Sequence, residues 1–521
     1  MERALLKYLD AWLASSDRKP LVVRGARQVG KTWLIKHFAQ VSKRRLIELN
    51  FEKQPSYASL FASNDPAQIL LNLSTVVGHK IDPETCLLFL DEIQTTPQLF
   101  SKLRWFAEDL SALPVIAAGS LLDFVLAEQS FSMPVGRINY LHLEPLSFEE
   151  FLLANDKKSL YEYLTKYDLN HEIPLAIHEQ LTTLFKEYLL VGGLPAVVSN
   201  WVAERSLSKV NQIQNDLLAT YRDDFAKYRG RIATGRLDEV MMAVPRMLGK
   251  KFVYSRVNKA IQSTAIKQVL DLLEMARICH RVQGSSANGV PLGSEIKEKY
   301  FKEIFLDVGL CSTALGFNLN QINSQHEIIM INNGAIAEQV VGQLLRTIFA
   351  PYFEPTLYCW VREESGSSAE IDYVIQHQNH IIPIEVKAGS TGSLKSLHLF
   401  MGLKKLPIAI RINSGFPSET KVETRDNVGN YAKYRLISIP FYLTGQIHLL
   451  APDYLGQVRY KLFPFPVVLH AQLDQLQQSL LTTLIVMADV VDSQLSPVQY
   501  PYYVSTLMYC RMCRTLDDGK S

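Results

Sequence analysis

Between residues 20 and 143, short apolar runs recur at roughly even intervals with amphipathic stretches between them. The runs at 20–24, 45–50, 86–90, 114–118 and 138–143 are rich in Val, Ile and Leu. Their length and composition are those of strands buried on both faces. Strands alternating with helix-length stretches predict a parallel, doubly wound α/β sheet. Residues 151–235 lose this pattern and predict helices, broken at Val191-Gly192-Gly193-Leu194-Pro195, where a glycine pair before proline stops the chain. Residues 236–300 also predict mostly helix, including a run over 263–278, with a polar, glycine-bearing loop at 284–289. From about 330 the pattern changes again. A helix over 335–349 precedes strand-like runs at 357–362, 370–376, 381–387 and 408–413, which predict a second α/β domain.

These shifts place boundaries at 1–150, 151–235, 236–325 and 326–450, with a tail at 451–521 that carries Pro and Tyr clusters and no usable motif. The length of 521 residues fits several domains at roughly 150 residues each. Lys and Arg number 54 against 52 Asp and Glu, so net charge alone points to no partner and local charge must decide. The six cysteines are too dispersed for a disulfide scaffold and fit a reducing, cytoplasmic setting. The apolar stretch at 480–491 is too short to span a bilayer and carries Asp489, so no membrane association is expected. Cys510 and Cys513 form a lone C-x-x-C with no second pair, and read as ordinary thiols rather than a zinc site.

The chemistry is densest at residues 25–32. Gly25, Ala26, Arg27, Gln28, Val29, Gly30, Lys31 and Thr32 satisfy G-x-x-x-x-G-K-[ST] in full, after a strand and before a helix. Glycines let the backbone curl its amides toward phosphates, and the helix N-terminus adds partial positive charge. Lys31 is the candidate for the β- and γ-phosphates of ATP, and the Thr32 hydroxyl for Mg²⁺. Leu87-Leu88-Phe89-Leu90 then carries Asp91 and Glu92 to the carboxyl end of a buried strand, where ligands bind in open α/β sheets. Asp91 is the second candidate for Mg²⁺, and Glu92 the candidate to orient or deprotonate the attacking water. Ser120, after the run 114–118, is a candidate sensor of the γ-phosphate, a simple Gly-Ser turn being the alternative. Arg137 is a candidate arginine finger or in-chain phosphate sensor, a surface arginine being the alternative.

Together with Leu141-His142-Leu143-Glu144-Pro145-Leu146-Ser147-Phe148-Glu149-Glu150-Phe151, the glycine pair at 192–193 and the run Tyr300-Phe301-Lys302-Glu303-Ile304-Phe305-Leu306-Asp307-Val308-Gly309-Leu310, these motifs resemble a family of prokaryotic AAA-type ATPases. Its members carry a C-terminal domain of unknown function, the family numbered 4143. The resemblance covers roughly residues 1–447. It implies a P-loop NTPase domain at 1–150 and a helical lid at 151–235. A winged-helix-like domain at 236–325 and a fold like the PD-(D/E)XK restriction nucleases at 326–450 would follow.

Two further regions carry charge worth weighing. From Val240 to Leu270 there is no acid, while Arg246, Lys250, Lys251, Arg256, Lys259 and Lys267 supply positive charge. A helix-turn-helix facing DNA phosphates is one reading; a docking surface or solvated basic face is the other. In the C-terminal domain, Asp372 and Glu385 fall on predicted adjacent strands, with Lys387 two residues on and so on the same face as Glu385. With Glu338 on the preceding helix they resemble the D…E-x-K set of metal-dependent nucleases, a second candidate Mg²⁺ site. A relic site or plain cross-strand charge pairing remains the alternative. The expectation is thus an ATP hydrolase whose turnover drives or gates a conformational switch coupled to the nuclease-like end. An ATP-gated DNA nuclease and a signalling or scaffold protein are the alternatives, and a homo-oligomer is a candidate assembly.

Overall fold

The computed structural model describes residues 1–450 except 121, 128–133, 226–233, 317–333, 365–366, 378, 390–391, 426–428 and 430. The chain divides into two units, Met1–Arg459 and Tyr460–Ser521, and the second lies outside the described residues. The tail from 451, with Cys510 and Cys513, therefore lies there too.

The first sheet contains β1 Leu21–Arg24, β2 Arg45–Asn50, β3 Cys86–Asp91, β4 Val115–Ala118 and β5 Asn139–His142 in the order β2-β3-β4-β1-β5. All its pairings are parallel. These are the five predicted strands, displaced by at most a residue or two. Every residue of β3 and β4 is buried, because helices cover both faces. Leu21 and Val23 pack with α1 Leu6–Ala14 and α2 Lys31–Val41, whereas Val22 packs with α3 Pro66–Val77 and α4 Leu99–Asp109 on the other face. The period-two alternation of strand side chains thus divides one apolar run between two cores.

The predicted helical region follows as α5 Leu122–Ala127, which precedes β5, and then α6 Phe148–Ala154, α7 Lys158–Lys166, α8 Leu175–Val191, α9 Pro195–Glu204 and α10 Leu207–Phe225. Helix α6 starts at a capping box, with Ser147 and Glu150 each satisfying the other's backbone amide. At the break after α8, Gly192 has φ 75° and its Cα abuts the Asp307 carboxylate, so a side chain there would meet both a left-handed backbone and a buried anion. The adjacent Gly193 amide donates to Asp307 Oδ2 at 2.6 Å, and the Leu310 amide to Asp307 Oδ1 at 3.1 Å.

Residues 236–300 depart from the helical expectation. Helices α11 Thr234–Arg246, α12 Tyr254–Val257 and α13 Ser263–Met275 form, but β6 Cys279–Ser285 and β7 Ile296–Phe305 pair as an antiparallel hairpin. Half of β7 is charged, and Lys302 and Glu303 are both buried, so the strand lacks the apolar-polar alternation that would have revealed it. Helix α14 Val308–Ala314 follows.

The second sheet has eight strands in the order β12-β13-β11-β10-β9-β8-β6-β7. Beyond the helix Ala335–Thr347, its members are β8 Leu357–Glu364, β9 Ser367–His377, β10 His380–Val386, β11 Ile408–Asn413, β12 Ser418–Arg425 and β13 Tyr431–Pro440. Because β6 pairs parallel to β8, with Val282 opposite Leu357, this sheet runs across the boundary placed between 325 and 326. Strand β12 was hidden by its own composition: Ser-Glu-Thr-Lys-Val-Glu-Thr-Arg is an exposed, charged edge, the form that discourages further strand pairing. Among the described residues, no helix is long and apolar enough to cross a membrane.

Candidate nucleotide site

Strand order builds the site. Because β4 lies between β1 and β3, the chain leaves all three strands at one edge, with Ala118 opposite both Val23 and Asp91. The loop 25–32, the Asp91-Glu92 pair and Gly119-Ser120 therefore converge there. The loop reaches α2 through left-handed backbone at Gln28 (φ 67°) and Gly30 (φ 94°), the second of which favours glycine. Lys31 opens α2, and its ammonium donates to the carbonyls of Gly25 at 2.9 Å and Ala26 at 2.7 Å. Burial lowers its pKa to about 8, against the opposing pull of Glu92 and Asp91.

The Thr32 hydroxyl lies 3.3 and 3.4 Å from the two Asp91 carboxylate oxygens. Asn50, at the end of β2, donates to Asp91 Oδ2 at 3.0 Å. Burial, then the neighbouring Glu92 charge, raises the Asp91 pKa. Glu92 stands just past β3 with φ 53°, and the Gln94 amide donates to its carboxylate. Gln94 also lies against the Gly119 Cα, so it bridges the ends of β3 and β4. Ser120 is buried directly beyond β4.

Several contributors lay outside any motif. Arg3, buried near the N-terminus, donates to the Val29 carbonyl at 3.1 Å and pairs with Glu150. From α10, Tyr221 donates to the Arg27 carbonyl at 2.8 Å and Asp224 pairs with the Arg27 guanidinium. The loop is thereby tied to the N-terminus and to the helical region. Asn50 ends β2 and Gln94 follows β3, positions that give a sequence-level signal; Arg3, Tyr221 and Asp224 gave none.

Arg137 does not fit the expectation of an in-chain sensor. Leu21 lies opposite Asn139 and Arg24 opposite His142, so Arg137 precedes the amino end of β5 while the loop follows the carboxyl end of β1. The four residues of β5 alone span roughly 13 Å, beyond the reach of one arginine. Arg137 instead pairs with Glu108 of α4 at 2.7 Å and is 47% exposed. The arginine that approaches from elsewhere is Arg277, beyond α13, which is buried and near enough for its charge to act on Lys31. Its guanidinium donates at 2.9 Å to Asp123 of α5 and at 2.9 Å to Glu354; Asp123 also pairs with Arg24, the last residue of β1. This ion-pair chain joins the first sheet to the middle segment and to the approach to β8.

The structure does bring the C-terminal candidates together. Lys387 pairs with Glu385 at 2.6 Å, and Asp372 Oδ2 accepts the Val386 amide at 2.8 Å. An extra residue in β9 between Ile371 and Val374, relative to β8, makes a bulge that re-aims this stretch. Burial, first of all, pushes Glu338 and Glu385 up to about 7. A positive charge also stands in this cluster. Among the described residues, no three His, Cys, Asp or Glu side chains are grouped to hold a metal. The Lys302 ammonium lies among Glu338, Glu370 and Asp372.

Residues 17–152 match the family model of the AAA domain. Residues 182–321 match a domain of unknown function, DUF8612, and residues 333–436 another, DUF4143. No curated protein matches. Among solved structures, the Walker-type ATPase PABY2304 of Pyrococcus abyssi is 14% identical, with 60% of this chain and 95% of that chain covered and a TM-score of 0.38. The ORC2 protein of Aeropyrum pernix is 12% identical, with 60% and 91% covered and a TM-score of 0.28. AMPPCP-bound DnaA from Aquifex aeolicus is 13% identical, with 51% and 85% covered and a TM-score of 0.24. By its family models, the chain carries an AAA domain at 17–152 followed by domains of unknown function at 182–321 and 333–436.

Proposed function

We propose that this protein binds Mg-ATP in the loop 25–32 and hydrolyses it, and that turnover shifts the helical, middle and C-terminal segments relative to the first sheet. The observation that carries the reading is the convergence of Lys31, Thr32, Asp91 and Glu92 at one sheet edge, with Thr32 and Asp91 already in contact. Thr32 and Asp91 offer the hard oxygen donors that Mg²⁺ requires, so the residues fit the ion. When bound, the ion neutralises charge on the phosphates.

The chain's own residues do the rest. Lys31 steadies negative charge on the β- and γ-phosphate oxygens. Glu92, oriented by the Gln94 amide, accepts a proton from water as the water oxygen bonds to the γ-phosphorus. The bond from that phosphorus to the β,γ-bridging oxygen breaks, and ADP leaves with the electron pair. Ser120 stands at the same edge to sense the departing phosphate. The chain Arg24–Asp123–Arg277–Glu354 is the route by which such a change reaches the second sheet. Lys31→Ala tests the whole reading: nucleotide binding by calorimetry and turnover should both disappear, and full ATPase activity in that variant would refute it.

A second reading concerns DNA. Helix α13 buries Ile266, Val269, Leu270 and Leu273 and exposes Ser263, Thr264, Lys267 and Gln268. Arg246, Lys250, Arg256 and Lys259 are also exposed, whereas Lys251 pairs with Glu363. Three helices followed by a hairpin, with no acid between Val240 and Leu270, support a winged-helix module that meets DNA phosphates. Binding should weaken steeply with salt and again in Lys259→Ala/Lys267→Ala; salt-independent binding, or none, removes the reading.

A further inference from the structure

We infer that Lys302 is a built-in cation that fills the acidic cluster of the second sheet, so that this cluster excludes divalent metal and performs no metal-dependent phosphodiester cleavage. The lysine comes from β7, outside the 333–436 segment that supplies the carboxylates. It is 2% exposed. Its Nζ lies 3.0 Å from Glu338 Oε2, 2.8 Å from Glu370 Oε1 and 3.9 Å from Asp372 Oδ1. Three carboxylates thus meet one ammonium.

A buried charge is tolerated only when it is paired, and this lysine has no solvent to turn to. The carboxylates are largely engaged as well. Glu338 accepts from Lys302, Asp372 spends its other oxygen on the Val386 amide, and Glu385 pairs with Lys387 through Oε1, while its Oε2 is buried with no hydrogen-bond partner. A divalent ion among the same oxygens would stand within a few ångströms of a fixed positive charge, in surroundings that screen it poorly. The phenol of Tyr373, beneath the lysine, donates to the Glu338 carbonyl at 2.7 Å and holds the helix Ala335–Thr347 against β9. In energetic terms, then, the cluster joins β7, that helix and β9 rather than presenting ligands.

The reverse follows too. Without the ammonium, three buried carboxylates would repel one another and take up an external cation. Mn²⁺ binding to the full chain, free of nucleotide and followed by electron paramagnetic resonance, tests this. An Asp91→Asn background removes the contribution of the nucleotide site. In that background no Mn²⁺ should bind in a way that depends on Asp372. Adding Lys302→Ala should create one site per chain, and adding Asp372→Asn should abolish it. A folded Lys302→Ala chain that gains no Mn²⁺ overturns the inference. So does Mn²⁺ held by the lysine-bearing background and lost with Asp372→Asn, a comparison that stands even if Lys302→Ala does not fold.

Discussion

Glu92 and Arg137 show how differently two charged residues at strand ends can be placed. Glu92 sits just past the carboxyl end of β3 in a left-handed conformation, its carboxylate held by Gln94. Removing its capacity to accept a proton should leave the phosphate cradle intact. Glu92→Gln is therefore expected to bind ATP with affinity within a few-fold of the parent while turnover falls by about 10²-fold or more, the usual scale of a lost general base. Arg137 sits at the opposite edge, paired with Glu108. Arg137→Ala should leave the nucleotide Kd of a single chain unchanged. Measuring Kd and turnover for both variants side by side separates the roles, and a large loss of affinity in Arg137→Ala would contradict the register of β5 against β1. Both residues were singled out by their motifs; only the pairing of β5 with β1 shows that one of them faces away.

Elements differ in how openly the chain declares them. Strand β3 is all apolar until Asp91 and lies between two helical layers, so its identity and its end are both legible. The β6–β7 hairpin is not, because its charges are satisfied by partners that only the fold brings together: Arg281 pairs with Glu274 of α13 and with Glu303 across the hairpin, and Lys302 with Glu338 and Glu370. Composition cannot distinguish a charge destined for water from one destined for a buried partner. The break after α8 is the opposite case, since a glycine pair before proline announces a turn, but the reason lies with Asp307. Gly192→Ala would force a left-handed backbone and drive a methyl group into that buried carboxylate. We expect a loss of about 2 kcal/mol or more in denaturant unfolding, and an unchanged midpoint would show that the loop is not held as described.

For the whole molecule, the seam between the first and second sheets is where pH should act. His142 donates its amide to the Pro351 carbonyl, and Glu144 is bound by Arg346 with His280 alongside. Burial, and then the nearby arginines Arg277 and Arg346, hold His142 and His280 below the usual histidine range. Burial would raise Glu144, but Arg346 and its neighbours hold it down to about 2. Groups with depressed folded pKa values bind more protons when unfolded, so stability is complete above about pH 6.5 and falls as the pH drops through the histidine range. It falls further below about pH 4.5, where Glu144 would titrate in the unfolded chain. Between pH 7 and 5 the seam histidines should therefore lower the melting temperature while Glu338 and Glu385, raised to about 7, should raise it as they take up protons, so the histidine contribution is read as the difference between the parent and His280→Gln, which should lose less stability on acidification. The same pH profile in the parent and in His280→Gln would mean that this histidine carries no linkage. What the chain determines alone is local: a phosphate loop needs specified residues in consecutive order, and a buried strand needs an uninterrupted apolar run, so residues 25–32 and 86–92 are legible without coordinates. What only the fold decides is which distant charges meet. Insertion of β4 beside β1, Arg277 beside Asp123 and Lys302 among three carboxylates all depend on strand order and burial, because electrostatic partnership is a property of distance and dielectric surroundings rather than of spacing along the chain.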